Sequence, residues 1–278
     1  IDSVIKQTYQ NWELIFWDNQ SSDNSALIAK SFKDKRIKYF YSNIHTTQYR
    51  ARNLALKQTK GEFVMFLDCD DYYLKDCLKN QSKLLKRKNI GFACANFFYK
   101  FEKKNKILLA FKKKMPEGYI LSDLLKNYSV PFCTLIVRKK HLVDLRVIFN
   151  NDYNYIGDFD LVIRLASKFK MARSNNPVCI YRIHDNNLSF HNYDSQALEL
   201  QKWYNENKNF FLISSNKNFK NILHLINFKK LIHSMIQNNK NNFYYYLKKV
   251  PWSLRKLRLI VIFTLTTVFR FKLSNFHL

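Results

Sequence analysis

Hydrophobic and polar positions keep two rhythms over the first 190 residues. Short apolar runs, the pattern of buried strands, alternate with stretches of helical spacing. Ile1, Val4 and Ile5 open the chain at helical spacing. Glu13 to Asp18 is a short apolar strand, and Ser22-Asp-Asn-Ser25 supplies an N-cap for a helix running to about Phe32. Arg36 to Tyr41 reads as a second strand, Thr47 to Thr59 as a helix carrying Arg52 and Asn53, and Phe63 to Leu67 as a third strand. Leu74 to Arg87 is amphipathic and Gly91 to Tyr99 is continuously apolar. This βαβα order predicts an α/β fold with a mostly parallel sheet covered by helices on both faces.

The middle of the chain is less regular. Lys100 to Lys114 reads as a basic hairpin or loop, Met115 to Tyr119 as a turn, Leu121 to Tyr128 as a short helix and Thr134 to Val137 as a strand. Asp158 to Lys170 is an amphipathic helix with Asp158 and Asp160 in its first turn, and Val178 to Ile183 is a strand leading to His184. Beyond about residue 190 the pattern turns to Lys- and Asn-rich aromatic helices. The division this predicts is an α/β domain over 1–190 and a basic helical extension over 191–278.

Charge sharpens that division. The chain of 278 residues carries a net charge of +26, which calls for an anionic partner such as a phosphorylated substrate, an anionic membrane surface or nucleic acid. After residue 200, fourteen Lys and Arg face one acid, Glu206. Leu257 to Phe271 is nearly all apolar between Arg255, Lys256 and Arg258 on one side and Arg270 and Lys272 on the other. The run is shorter than the roughly 20 residues a bilayer span needs. It suits a helix lying at a membrane surface or one packed onto the protein. Five cysteines without a CxxC pair indicate reduced, mostly buried thiols. Four scattered glycines exclude both the dinucleotide fingerprint and the Walker loop, so a phosphate grip must come from side chains and a metal.

The segment Gly61-Glu-Phe-Val-Met-Phe-Leu-Asp-Cys-Asp-Asp71 is where such a grip can form. Carboxylates at the end of a buried strand lie where open α/β sheets bind ligands. Strand alternation would send Asp68 and Asp70 to one side, where hard oxygens can share a divalent cation that holds a diphosphate. From this segment alone, Asp70 and Asp71 serve equally well as a turn or a helix start.

Several motifs, in order, resemble family 2 glycosyltransferases: Asp2-Ser-Val-Ile-Lys-Gln-Thr-Tyr-Gln-Asn-Trp-Glu-Leu-Ile15, Trp17-Asp-Asn-Gln-Ser-Ser-Asp23, Ala51-Arg-Asn-Leu54, Gly61 to Asp71, Gly157-Asp-Phe-Asp-Leu-Val-Ile-Arg-Leu165 and Tyr181-Arg-Ile-His-Asp-Asn-Asn-Leu-Ser189. The resemblance implies a GT-A fold (Rossmann-like, flanked by helices) and inverting transfer of a sugar from a nucleotide-diphosphate donor to a hydroxyl of a glycan or lipid-linked acceptor, in bacterial surface polysaccharide synthesis. It implies Asp70 and Asp68 as ligands to Mn²⁺ or Mg²⁺, with Asp68 shared with the donor ribose and His184 completing the metal shell. Asp18 and Asn19 fall where the base is recognised, Arg52 near the nucleotide, and Asp158 on the catalytic base. Three positions depart from the pattern: Asn19 for a second aspartate, Ala55 for glycine and Gly157 for glutamate. The localisation implied is the cytoplasmic face of the cell membrane, held peripherally.

In such a family a first strand precedes the helix that opens this chain, so an upstream wall of the donor pocket is expected to be missing and activity to be weak without it. Two other classes compete. A nucleic-acid-binding protein would use the charge and the 16% aromatics, yet no helix-turn-helix, RNP-type or zinc signature is present, so no nucleic-acid partner is expected. A catalytically silent membrane scaffold of the same fold would bind no nucleotide diphosphate.

Overall fold

The computed structural model describes residues 1–188 and 191–267. It divides into two compact units, Ile1–His184 and Asp185–Leu278.

The first unit begins with the short helix α1 (Asp2–Ile5) and a parallel pair, β1 (Leu14–Asp18) and β2 (Ile37–Tyr41), joined through α2 (Ser25–Ser31). Helix α3 (Gln48–Lys57) follows, started by the Thr47 hydroxyl accepting from the Arg50 amide at 3.3 Å. Next come β3 (Phe63–Met65), β4 (Tyr72–Tyr73), α4 (Cys77–Leu84), β5 (Ile90–Phe101) and β6 (Lys106–Leu109). The unit closes with α5 (Leu121–Lys126), β7 (Ile136–Arg138), α6 (Lys139–Val143), α7 (Gly157–Lys168) and β8 (Lys170–Ile183).

The sheet around β5 has the order β3-β7-β5-β8-β4, with β6 on the far end of β5. Pairing is mixed, where the sequence predicts mostly parallel strands. Only β1–β2 and β5–β8 run parallel, while β3–β7, β5–β7, β4–β8 and β5–β6 are antiparallel. The basic stretch after Tyr99 folds into the β5–β6 hairpin, which accounts for one antiparallel pair. Residues 90–97 of β5 are all buried, as a strand covered on both faces must be, so periodicity alone cannot orient it. Strand β8 begins eight residues earlier than Val178 and bulges past Ala95 and Asn96 where Pro177 lacks an N–H for the ladder. The first core gathers Val4, Tyr73, Cys77, Ala95, Phe97, Cys133, Val178 and Cys179. All five thiols are free, and only Cys69 is exposed.

Gln7 is 1% exposed and ties the chain start to the sheet. Its amide donates to the Leu74 carbonyl at 2.8 Å and accepts from the Leu78 amide at 2.9 Å.

The second unit contains α8 (Tyr193–Asn207), α9 (Phe211–Ser214), α10 (Asn221–Ile236), α11 (Lys240–Lys249) and α12 (Leu254–Thr267). Tyr193, Leu231, Ile232, Met235, Phe243, Val250, Leu259, Ile262 and Phe263 form its core. Phe263 stacks on Phe243 at 3.7 Å. The opposite side of α12 keeps Leu254, Leu257 and Val261 exposed beside Arg255 and Arg258. The helix thus packs on one face and remains open on the other. Among the described residues, no helix is long and apolar enough to cross a membrane. Ser189, Arg270 and Lys272 lie outside the described residues.

Candidate active site

Strand β3 ends at Met65, two residues sooner than the apolar run suggests, so Asp68 to Asp71 form a turn instead of a strand end. The Asp71 amide closes it on the Asp68 carbonyl at 3.1 Å. Strand alternation therefore does not set the side chains, and the acids part company. Asp68 pairs with Arg52 at 2.5 Å, whereas Asp70 Oδ2 lies 3.1 Å from His184 Nε2.

Asp71 goes inward. Its Oδ1 accepts from the Arg182 amide at 3.0 Å, and its buried Oδ2 has no hydrogen-bond partner among the described residues. Burial pushes its pKa up to about 7, the Arg182 amide holding it down and the Asp70 and Asp68 charges adding to the rise. Arg182 donates through Nε to the Asp70 carbonyl and lies 3.9 Å from Glu102. It braces the acidic turn.

A divalent cation fits these donors. Neighbouring ligands of an octahedral ion bound at about 2.1 Å sit roughly 3 Å apart, close to the spacing of Asp70 Oδ2 and His184 Nε2. Among the described residues, no three His, Cys, Asp or Glu side chains form a ready cage. That suits an ion completed by substrate phosphate and water.

Helix α3 connects this turn to Asp158. Tyr49 and Arg52, three apart, share one helix face. Arg52 reaches Asp68, while the Tyr49 hydroxyl donates to Asp158 Oδ1 at 3.2 Å. The floor between them is aromatic: Arg52 lies over Phe132 at 4.7 Å, Phe66 stacks on Phe132 at 5.0 Å, and Tyr49 stacks on Phe149 at 5.4 Å. These rings cover one side of the Arg52 guanidinium, while its partner Asp68 stays partly exposed.

Asp158 and Asp160 look alike in the sequence and differ in the fold. Asp160 is 5% exposed and held by Arg164 at 2.7 Å, while Arg164 also binds the carbonyls of Val147 and Ile148 at 2.6 Å. Asp160 is a structural anchor. Asp158 is half-buried: Oδ1 accepts from Tyr49 and from the Phe159 amide at 2.8 Å, and among the described residues no hydrogen bond falls on Oδ2. Burial raises its pKa above the usual carboxylate range, against those hydrogen bonds and the Arg52 charge. Where the resemblance leads one to expect glutamate, Gly157 leaves room for the Tyr49 ring: an added Cβ would come within 2.6 Å of it.

At the end of β1, Asp18 is 1% exposed, with Ser21 N–H at 2.7 Å and Tyr39 O–H at 2.6 Å folding the loop over it. Burial raises its pKa, but these hydrogen bonds outweigh it and the net shift is downward. Asn19 latches the loop to Thr46, donating to its carbonyl at 2.7 Å and accepting from its amide and hydroxyl. One amide N–H of Asn19 is left for a ligand.

The glycosyl transferase family 2 model matches residues 1–144. The chain belongs to that family. The UDP-Glc:alpha-D-GlcNAc-diphosphoundecaprenol beta-1,3-glucosyltransferase WfaP of Escherichia coli is 31% identical over 68% of this chain and 72% of its own length. WfgD of the same organism, whose name states the same reaction, is 36% identical over 49% of this chain. The match spans about half of WfgD, 53% of its length. Two solved structures share the fold. S. aureus TarS 1-349 in complex with UDP-GlcNAc aligns with a TM-score of 0.58 and 17% identity over 91% of this chain and 88% of that one. The mannosyltransferase PcManGT from Pyrobaculum calidifontis, in complex with GDP-Man and Mn2+, gives 0.60 and 16% identity over 97% and 76%. The fold of this family 2 chain is GT-A.

Neither of two surface cavities is lined by the acidic turn or Asp158. One, of about 430 Å³, lies beside Lys112–Lys114, and the other, of about 580 Å³, beside Tyr119 and Lys170. The sequence singled out Asp68, Asp70, Arg52, Asp158 and His184. It missed Tyr49, Phe132 and Phe149, whose only local signal is aromatic character within apolar segments.

Proposed function

We propose that this chain is a cation-dependent, inverting glycosyltransferase that moves a sugar from a nucleotide-diphosphate donor to a hydroxyl of a lipid-linked glycan acceptor. The observation that carries the reading is the bridge across α3. Tyr49 and Arg52 on one helix face connect a half-buried carboxylate with an open oxygen to the acidic turn.

In this mechanism Asp158 Oδ2 takes the proton of the acceptor hydroxyl as that oxygen bonds to the anomeric carbon. The bond from that carbon to the diphosphate breaks, and its electron pair leaves with the nucleoside diphosphate. Asp70 and His184, with Asp68 beside them, would hold a divalent cation, which when bound would neutralise charge on the leaving diphosphate. Arg52 steadies Asp68 against the negative donor, and Asn19 offers its free N–H to the base. The reactions for which WfaP and WfgD are named support a UDP-sugar donor and a diphospholipid acceptor.

The test is a thermal-shift panel of UDP-glucose, UDP-GlcNAc and GDP-mannose with and without Mn²⁺, followed by transfer to an α-GlcNAc-diphospholipid. A donor at a hundredfold its Kd stabilises by about 2.7 kcal/mol, a shift of several degrees. Stabilisation that needs Mn²⁺ supports the reading. If none of the three shifts the melting temperature, the donor assignment is wrong.

We further propose that residues 191–278 act as a basic extension that holds the transferase domain, 1–190, at the cytoplasmic face of the membrane. The open face of α12 supports this, since Leu254 and Val261 can enter the interface while Arg255 and Arg258 meet anionic headgroups. At about 1 kcal/mol per basic residue, Arg255→Gln with Arg258→Gln is expected to weaken binding to phosphatidylglycerol vesicles roughly thirtyfold. Cosedimentation measures it, and undiminished binding would refute the face.

A further inference from the structure

We infer that Tyr49 is the positioning residue of the proposed base: its hydroxyl holds Asp158 Oδ1 so that Oδ2 faces the acceptor, and Gly157 exists to admit its ring. The inference rests on reading Asp158 as the base. It adds a residue and a reason for a glycine that neither charge pattern nor motif supplies.

The geometry is specific. Tyr49 is 4% exposed, so its hydroxyl has little access to water and is directed at a carboxylate 109 residues away in sequence. Its ring is fixed from two sides, by Phe149 at 5.4 Å and by the backbone of Gly157, where all three of the nearest atoms to an added Cβ belong to the Tyr49 ring at 2.6–2.7 Å. A side chain at residue 157 and a ring at residue 49 exclude each other. The second donor to Oδ1, the Phe159 amide at 2.8 Å, belongs to the same helix turn as the carboxylate. One local and one distant donor on a single oxygen fix both the position and the rotation of the carboxyl group. The Oδ2 lone pairs are then left for a substrate proton, as general-base geometry requires.

A hydrogen bond donated to a carboxylate also favours its charged form. The groups acting on Asp158 are the Tyr49 and Tyr128 phenols, the Arg52 guanidinium and the Asp68 carboxylate. Of these, only Tyr49 among the side chains donates to it. Removing that hydroxyl leaves the net effect of burial larger.

The test uses the full chain labelled with ¹³C at aspartate carboxyls, with the Asp158 resonance assigned by its loss in Asp158→Asn. Tyr49→Phe keeps the ring and deletes the donor. The expected result is an upward move of the Asp158 titration midpoint with the melting temperature nearly unchanged. With the donor and acceptor selected by the panel above, kcat falls on the order of tenfold while KM is unchanged. In parallel, Gly157→Ala lowers the melting temperature by roughly 5 °C beside Tyr49 and by nothing in a Tyr49→Ala background.

An unmoved midpoint in folded Tyr49→Phe overturns the inference. If that variant does not fold, Gly157→Ala takes its place. Its methyl group displaces the ring, so a midpoint unmoved there overturns the inference equally. Activity retained in Asp158→Asn instead sinks the base assignment itself, so the two failures are distinguishable.

Discussion

Asp158→Asn is expected to lower kcat by about 10²- to 10⁴-fold, the range a positioned general base contributes, with little change in nucleotide-sugar binding. The amide is isosteric and retains an oxygen to accept from Tyr49 and the Phe159 amide, so the helix start should survive. What is lost is the open Oδ2 as a proton acceptor. The pH dependence follows in sign from burial. Because Asp158 titrates above the ordinary carboxylate range, kcat/KM should fall with decreasing pH through that raised value, since the protonated carboxyl cannot accept. The asparagine variant should lack this limb. Asp160→Asn is the informative contrast. It loses an ion pair with Arg164 that fastens residues 147–148, so it should lower the melting temperature and leave the pH limb in place. Steady-state rates with a coupled nucleoside-diphosphate assay measure both. An active Asp158→Asn with an unaltered pH profile would remove Asp158 from the chemistry.

That contrast also shows what the sequence could and could not disclose. Two acids in one helix turn have the same local signal, because either suits the positive end of the helix dipole. Only the partners distinguish them, and both sets of partners come from distant segments. The same limit applies to the acidic turn. Phe63 to Leu67 is legible as a buried strand because it is short, apolar and followed by acids. Its end at Met65, and the separation of Asp68 toward Arg52 from Asp70 toward His184, depend on contacts 16 and 114 residues apart. Strand β8 fails to declare its first half because Ser174-Asn-Asn-Pro177 has turn composition, and pairing with β5 overrides it. The order β1–α2–β2–α3–β3 was legible because each element carries its own period. The antiparallel pairings of β7 and β4 have no such signal, since three- and two-residue strands hold too little pattern to reveal direction. Tyr49 is the clearest case of a functional candidate hidden in plain sequence. Within Gln48–Lys57 it is one more residue on the inner helix face, and its hydroxyl acquires meaning only against Gly157 and Asp158.

Asp70→Asn is expected to weaken Mn²⁺-dependent binding of UDP by at least on the order of a hundredfold, the upper end of what even a ligand-orienting residue contributes. The expectation follows from how the four candidate donors are occupied. Asp68 is neutralised by Arg52, so its charge is already spent on the protein side. Asp71 is buried, with one oxygen taken by the Arg182 amide. Asp70 places a partly exposed carboxylate oxygen 3.1 Å from the His184 imidazole nitrogen, a spacing two ligands of one ion can share. A cation should therefore depend most on Asp70, next on His184, and least on Asp68. The order separates this arrangement from one in which Asp68 and Asp70 contribute equally from a strand end. Isothermal titration of UDP in Mn²⁺ and in chelator gives the cation-dependent part for each variant. Asp68→Asn has a second consequence to check, because it frees Arg52 to approach the added diphosphate directly. Cation-independent binding should then be unchanged or tighter even as the Mn²⁺ contribution falls modestly. If Asp68→Asn instead matches Asp70→Asn, the Arg52 pair opens on donor binding and both carboxylates reach the ion. If neither substitution alters the Mn²⁺ dependence, the acidic turn is not the cation site.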